Sequence, residues 1–172
     1  IKEITGKVGE RGLVEVGVCC GLDHKAGALY PPNKMMEDYY LNHNFIVELL
    51  RMFHEYTMAE TEDYLESGAE VIHGSWYWAS LSVGWSPRIY RDLFIPLIRE
   101  HVKLVHDYGA IYHLYDDGKC LPILNDLKDA GIDIIDTLPP PPMGDVNLAE
   151  AKKRIGDEVC LKGHIDLDHV IR

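Results

Sequence analysis

Residues 109–136, GAIYHLYDDGKCLPILNDLKDAGIDIID, decide the fold. Ala110 to Leu114 is a short apolar run led out of Gly109, which predicts a buried strand. Tyr115, Asp116, Asp117 and Gly118 follow as a turn dense in hydrogen-bonding groups. Cys120, Leu121, Leu124, Leu127 and Ala130 then recur at helical spacing, and Gly131 stops that helix. Ile132 to Ile135 is a second buried-strand run ending in Asp136. Two strands joined by one helix lie parallel, with a right-handed crossover. In such a unit the polar turn after the strand carries the chemistry, because strand carboxyl ends meet solvent there.

The same grammar extends in both directions. Leu13–Cys20, LVEVGVCC, reads as a strand, and Pro31-Pro32 breaks the loop after it. A long helical region follows in two pieces around Asn42; its second piece puts Ile46, Leu49, Leu50, Phe53 and Thr57 on one face. Ala69 opens a brief strand ending in His73-Gly74-Ser75. Ser86-Pro87 starts a helix, with Ser as cap and Pro at the first helical position, and Pro96 kinks or restarts it. Asn147-Leu-Ala-Glu150 is a capping-box-like start, and a last strand ends near Gly163 before His164-Ile165-Asp166. Parallel strands are therefore predicted near Leu13–Cys20, Ala69–His73, Ala110–Leu114, Ile132–Asp136 and Val159–Gly163. The fold class is α/β, a parallel sheet flanked by helices. No Gly-rich phosphate fingerprint follows any strand, which favours an eight-stranded barrel over an open dinucleotide-binding sheet. The expectation is one domain over 1–172, about five βα units of a larger (β/α)8 TIM barrel.

Composition narrows the partners. A chain of 172 residues with 47% apolar content can bury a sizeable core. A formal net charge of −11 argues against nucleic acid, which requires clustered Lys and Arg. No basic amphipathic face or membrane-length apolar run is present, so no membrane role is expected. The start, Ile1-Lys2-Glu3-Ile4, has no initiator Met and no signal peptide, and reads as the middle of a longer chain. Cys19, Cys20, Cys120 and Cys160 show no Cys-x-x-Cys spacing and are read as free thiols of a cytoplasmic protein. A small-molecule substrate is the expected partner. Unpaired strand edges also point to a longer chain or a homodimer.

From Gly68 onward the order of motifs resembles the uroporphyrinogen decarboxylase superfamily. The residues that carry this are Ser67-Gly68-Ala69-Glu70-Val71-Ile72, Ser86-Pro87 with Tyr90 and Pro96, and Asp117-Gly118 with Pro122-Ile123-Leu124. They continue in Asp126-Leu127, Ala130-Gly131-Ile132-Asp133-Ile134, Asn147 to Lys152, Gly156 and Leu161 to Asp166. The resemblance implies a (β/α)8 barrel with its site at the strand carboxyl ends. It also implies one of two chemistries. One branch removes carboxylates from the acetate arms of uroporphyrinogen without metal or cofactor; the other comprises zinc-dependent methyltransferases acting with corrinoid proteins and thiols.

The candidate site residues follow from strand ends and from that resemblance. The methyltransferase branch uses a His-x-Cys pair whose soft thiolate and imidazole suit zinc. Counting back from Gly118 and Pro122 puts Tyr115 at the His and Asp117 at the Cys, with His113 two residues early but on the same side of the strand. No metal site is therefore expected, and the first reading is a uroporphyrinogen decarboxylase-like enzyme that decarboxylates a tetrapyrrole or other carboxylated substrate at the barrel mouth with no metal or cofactor. Zinc with a corrinoid partner is the alternative, and a non-catalytic barrel paralogue is the third. Asp117 and His164 are the candidate catalytic residues; a barrel-mouth His can donate a proton. Ser75, Trp76, Tyr115, His113 and Asp136 are the candidate substrate contacts. Bland readings stand beside these: Ser75 as a turn, Trp76 as core, His113 and Tyr115 as interior polar residues, and Asp117 as a turn former or helix cap.

Overall fold

A computed structural model describes residues 1–23, 29–163 and 165. A short helix α1 (Lys2–Val8) precedes strand β1 (Glu15–Cys19). Helices α2 (Pro32–Leu41) and α3 (His43–Glu66) follow, broken at Asn42 as the sequence predicts. Then come β2 (Val71–Ser75), α4 (Pro87–Leu93), α5 (Ile95–Asp107) and β3 (Ile111–Asp116). The chain continues with α6 (Leu124–Asp129), β4 (Ile134–Thr137), α7 (Leu148–Ile155) and β5 (Cys160–Leu161). The five strands form one sheet in the order β1-β2-β3-β4-β5, and every neighbouring pair is parallel. Sequential order with helical crossovers is the arrangement that curls into a barrel.

Local chemistry explains the element boundaries. Ser86 Oγ accepts the Ile89 N–H, and Pro87 occupies the first turn of α4, where a missing N–H costs nothing. Pro96 sits in the first turn of α5, so it restarts the helix instead of breaking it. Asn147 Oδ1 accepts the Glu150 N–H at 3.0 Å to cap α7. The strands differ from expectation mainly at their ends. β3 runs on through Tyr115 and Asp116, because both stay in register with β4, opposite Asp136 and Thr137. The turn after it therefore starts at Asp117, and a 3-10 turn over Leu121–Ile123 precedes the short α6. β2 likewise includes His73, Gly74 and Ser75.

Period-two alternation divides the sheet into two faces. Val18, Ile72, Tyr112, Leu114 and Ile135 are buried against the helices. That layer includes Ile98, Val102 and Val105 of α5 and Ile46 and Leu50 of α3. Glu15, His73, Ser75, His113, Tyr115 and Asp136 have the opposite parity and lie on the face away from the helices. His101 is buried and His106 is exposed on α5, as residues five apart on a helix should be. No described helix is long and apolar enough to cross a membrane.

Candidate active site at the strand carboxyl ends

Register places the site. Cys19, Ser75, Tyr115 and Asp136 stand side by side in one row across four strands. One layer deeper, Gly17, His73, His113 and Ile134 are aligned. Among the predicted site residues, Ser75, His113, Tyr115 and Asp136 are thus brought together on the inner face. His164 lies outside the described residues.

The deeper layer is chemically dense. The His73 and His113 rings lie 4.5 Å apart between centroids. His113 Nδ1 lies 2.8 Å from the Glu15 carboxylate on β1. Its Nε2 lies 3.2 Å from Asp136 Oδ2 but lacks hydrogen-bond alignment. His113 is 1% exposed at its side chain, and neither its Nε2 nor that of His73 makes a hydrogen bond among the described residues. Burial first, then His113 nearby, pushes the His73 pKa below its ordinary value, so this imidazole is neutral at pH 7. Lys162, just beyond β5, places Nζ 3.1 Å from Asp136 Oδ2.

The mouth above that layer is framed by hydroxyls and carboxylates. Tyr115 OH donates to Asp117 at 3.3 Å. Burial, then the Asp117 charge, pushes the Tyr115 phenol up to about 12, so it stays protonated and donates. Ser75 Oγ donates to Asp23, a buried carboxylate that also accepts the Tyr77 N–H at 2.9 Å and the Trp78 N–H at 2.8 Å. Asp23 thereby ties the loop after β1 to the loop after β2. Thr137 sits at φ 71°, a costly conformation for a β-branched residue, and its hydroxyl donates to the Asp116 carbonyl at 2.8 Å. Backbone strain of this kind concentrates at functional strand ends.

Two expectations need correction. Trp76 does not wall the mouth: its indole is 1% exposed, lies in the helix-side core and donates to Tyr112 OH at 2.9 Å. Its parity, shared with Ile72 and Gly74, explains this. Asp117 does not cap the helix after β3. That task falls to Asp145, whose carboxylate accepts the Cys120 and Leu121 N–H groups at 3.0 Å. Asp117 instead holds the Tyr115 hydroxyl, and its own carbonyl accepts from Ser80 Oγ. Sequence reasoning missed His73, Glu15, Asp23 and Lys162. Alternation along β2 would have placed His73 on the face of Ser75; the other three become visible only through contacts between distant segments.

A parallel sheet with helices on one face, and titratable side chains gathered on the other at the strand ends, defines an enzyme-type (β/α) barrel scaffold. The uroporphyrinogen decarboxylase profile matches residues 26–171, and the chain belongs to that family. It is 28% identical over 134 residues to uroporphyrinogen decarboxylase of Chlorobium phaeovibrioides, covering 77% of this chain and 34% of that protein. It is 30% identical over 105 residues to uroporphyrinogen decarboxylase of Trichodesmium erythraeum, covering 59% of this chain and 27% of that one. The chain thus spans about a third of the length of the curated relatives it matches. Among solved structures, a methyltransferase from Methanosarcina mazei superposes with a TM-score of 0.80 at 21% identity, over 95% of this chain and 46% of that one, which shows the shared fold.

The zinc position implied by the family's methyltransferase branch does not fit here. Its two strand-end ligands fall on Tyr115 and Asp117, which are hydrogen-bonded to each other. A phenol pushed up to about 12 is a poor metal ligand at neutral pH.

Proposed function

We propose that the protein is a decarboxylase-like enzyme acting on a small carboxylated molecule with far fewer charges than uroporphyrinogen. The observation that carries this is the charge balance of the inner face. The five strands contain no Lys or Arg, and Lys162 is the cation that faces Asp136. Asp23, Asp117 and Asp136 surround the same mouth. A single substrate carboxylate can be held by Lys162, whose ammonium has three donors and meets only Asp136 Oδ2 among the described carboxylates. Eight carboxylates would be repelled by Asp23, Asp117 and Asp136 and desolvated beside them.

In this reading the substrate's C–C bond to its carboxylate breaks and CO2 leaves. The electron pair stays on carbon, and a proton must replace the lost group. Tyr115, kept protonated beside Asp117, is the donor on this face; Asp117 orients its hydroxyl. Asp136 positions Lys162. The test is CO2 release by the purified full-length protein from a pyrrole bearing one acetate arm, compared with uroporphyrinogen. The single-acetate compound should be favoured, with at least tenfold losses for Lys162→Met and Tyr115→Phe. Efficient use of uroporphyrinogen, indifferent to Lys162→Met, would reject the reading.

One observation favours a second reading, methyl transfer with a bound metal. It is the group formed by His73, His113 and Asp136, whose ligand-type atoms all lie within 4.8 Å of one another.

A further inference from the structure

We propose that His73, His113 and Asp136 form a binding site for one divalent transition-metal ion of the zinc type, on the floor of the mouth. Its two histidines lie one strand layer below Tyr115, its carboxylate, Asp136, stands in the Tyr115 row, and neither Tyr115 nor Asp117 is among its ligands. It stands on its own geometry and holds whether the reaction above it is decarboxylation or methyl transfer.

The three residues come from three adjacent strands, so the sheet itself fixes their spacing. His73 and His113 are partners in the β2–β3 register, and Asp136 sits on β4 one layer toward the mouth. Their ligand-type atoms lie within 4.8 Å of one another. Ligation at about 2.0–2.2 Å requires separations of at most about 4.4 Å, which small side-chain rotations would reach on binding one ion. Two imidazoles and one carboxylate match metal sites that keep open positions for water or substrate. A site made only for calcium or magnesium would use oxygen ligands alone.

The surroundings supply the independent support. His113 Nε2 is buried in a side chain 1% exposed and has no hydrogen bond among the described residues. A buried polar atom without a partner is costly, and a metal ion would satisfy it. The opposite nitrogen, Nδ1, meets the Glu15 carboxylate at 2.8 Å. That contact orients the ring with Nδ1 as donor and leaves the Nε2 lone pair pointing toward Asp136 and His73. A carboxylate behind a ligating imidazole is a recurrent second layer of metal sites. Lys162 acts against the ion. Its ammonium shares Asp136 Oδ2, so it must move to the other carboxylate oxygen or withdraw when metal binds. The pairing sets up a competition between metal and Lys162 for one carboxylate.

Zinc titration of metal-stripped full-length protein by calorimetry tests this, with cobalt(II) absorption reporting coordination. One zinc per chain is expected. His73→Ala, His113→Ala and Asp136→Asn should each weaken binding at least tenfold. Glu15→Gln should weaken it about 10- to 100-fold, and it is a conservative change at a carboxylate 43% exposed, so it does not threaten folding. Lys162→Met should tighten binding severalfold while impairing CO2 release, which separates failure of this site from failure of the proposed reaction. Tyr115→Phe and Asp117→Asn should leave zinc affinity within about twofold, marking the site as distinct from the strand-end position above it. No zinc binding, binding that survives His113→Ala, or binding lost in Asp117→Asn but retained in Glu15→Gln would overturn the proposal.

Discussion

Replacing Asp116 by Asn should flatten the dependence of stability on pH. Asp116 ends β3 on the helix-facing side, is 0% exposed, and accepts from Tyr90 OH at 3.4 Å. Its second oxygen makes no hydrogen bond among the described residues. Burial raises its pKa to about 7, offset in part by Ser80 and Tyr90 and reinforced by the charges of Asp23 and Asp117. In the unfolded chain the same carboxyl titrates near 3.9. Between those values the folded state holds a proton that the unfolded state has released. Stability is therefore full below the unfolded pKa, falls as pH rises toward 7, and levels off above it. From pH 5 to pH 8 that loss is about 3 kcal/mol, taking roughly 1.36 kcal/mol for each pH unit below the folded pKa. Other titrating groups change both proteins alike; His101, held down to about 3 by burial, acts with the opposite sign. The difference between wild type and Asp116→Asn isolates the carboxyl. The amide also adds a buried donor, which costs about 1–3 kcal/mol at every pH, so the slopes are the quantity to compare. Urea unfolding at pH 5, 6, 7 and 8 should show the variant gaining on wild type by about 3 kcal/mol across the range. Parallel curves would refute the reasoning.

Two more stability changes follow from the packing behind the site. Gly74→Ala would place a Cβ against the Tyr112 hydroxyl and within 3.2 Å of Cys20 Sγ, and should cost about 1–3 kcal/mol by overpacking, read from the urea midpoint. Tyr112→Phe removes the group that accepts from Trp76 Nε1 and lies 3.0 Å from His101 Nδ1. It leaves buried polar atoms unpaired and should cost about 1–3 kcal/mol in the same assay. Neither residue faces the mouth, so turnover per folded molecule should be preserved in both.

Much of the fold was readable from local patterns, and for identifiable reasons. Apolar runs followed by turn chemistry marked all five strands, and Ser86, Pro87, Pro96 and Asn147 marked helix starts by their capping behaviour. The strand ends were less legible. Tyr115 and Asp116 carry turn-type polarity, yet pairing with Asp136 and Thr137 keeps them in β3. Parity along a single strand predicted that His113 and Tyr115 share a face. It also held the answer for Trp76, whose even position places it with Ile72 against the helices. The contacts that define the site's chemistry run between distant segments: Glu15 to His113, Asp23 to Ser75 and the loop after it, and Lys162 to Asp136. No spacing rule within one segment exposes such pairs, because the sheet register creates them.

The account's central claim is that chemistry occurs on the inner face of the sheet, at the strand carboxyl ends. Paired kinetics of two neighbouring tyrosines on one strand test it most directly. Tyr115→Phe on the inner face should lower kcat for CO2 release from the single-acetate pyrrole at least tenfold, with little change in the urea midpoint. Tyr112→Phe on the helix face should lower the midpoint while leaving kcat per folded molecule within about twofold. The reverse pattern, with kcat sensitive at Tyr112 and indifferent at Tyr115, would contradict the account.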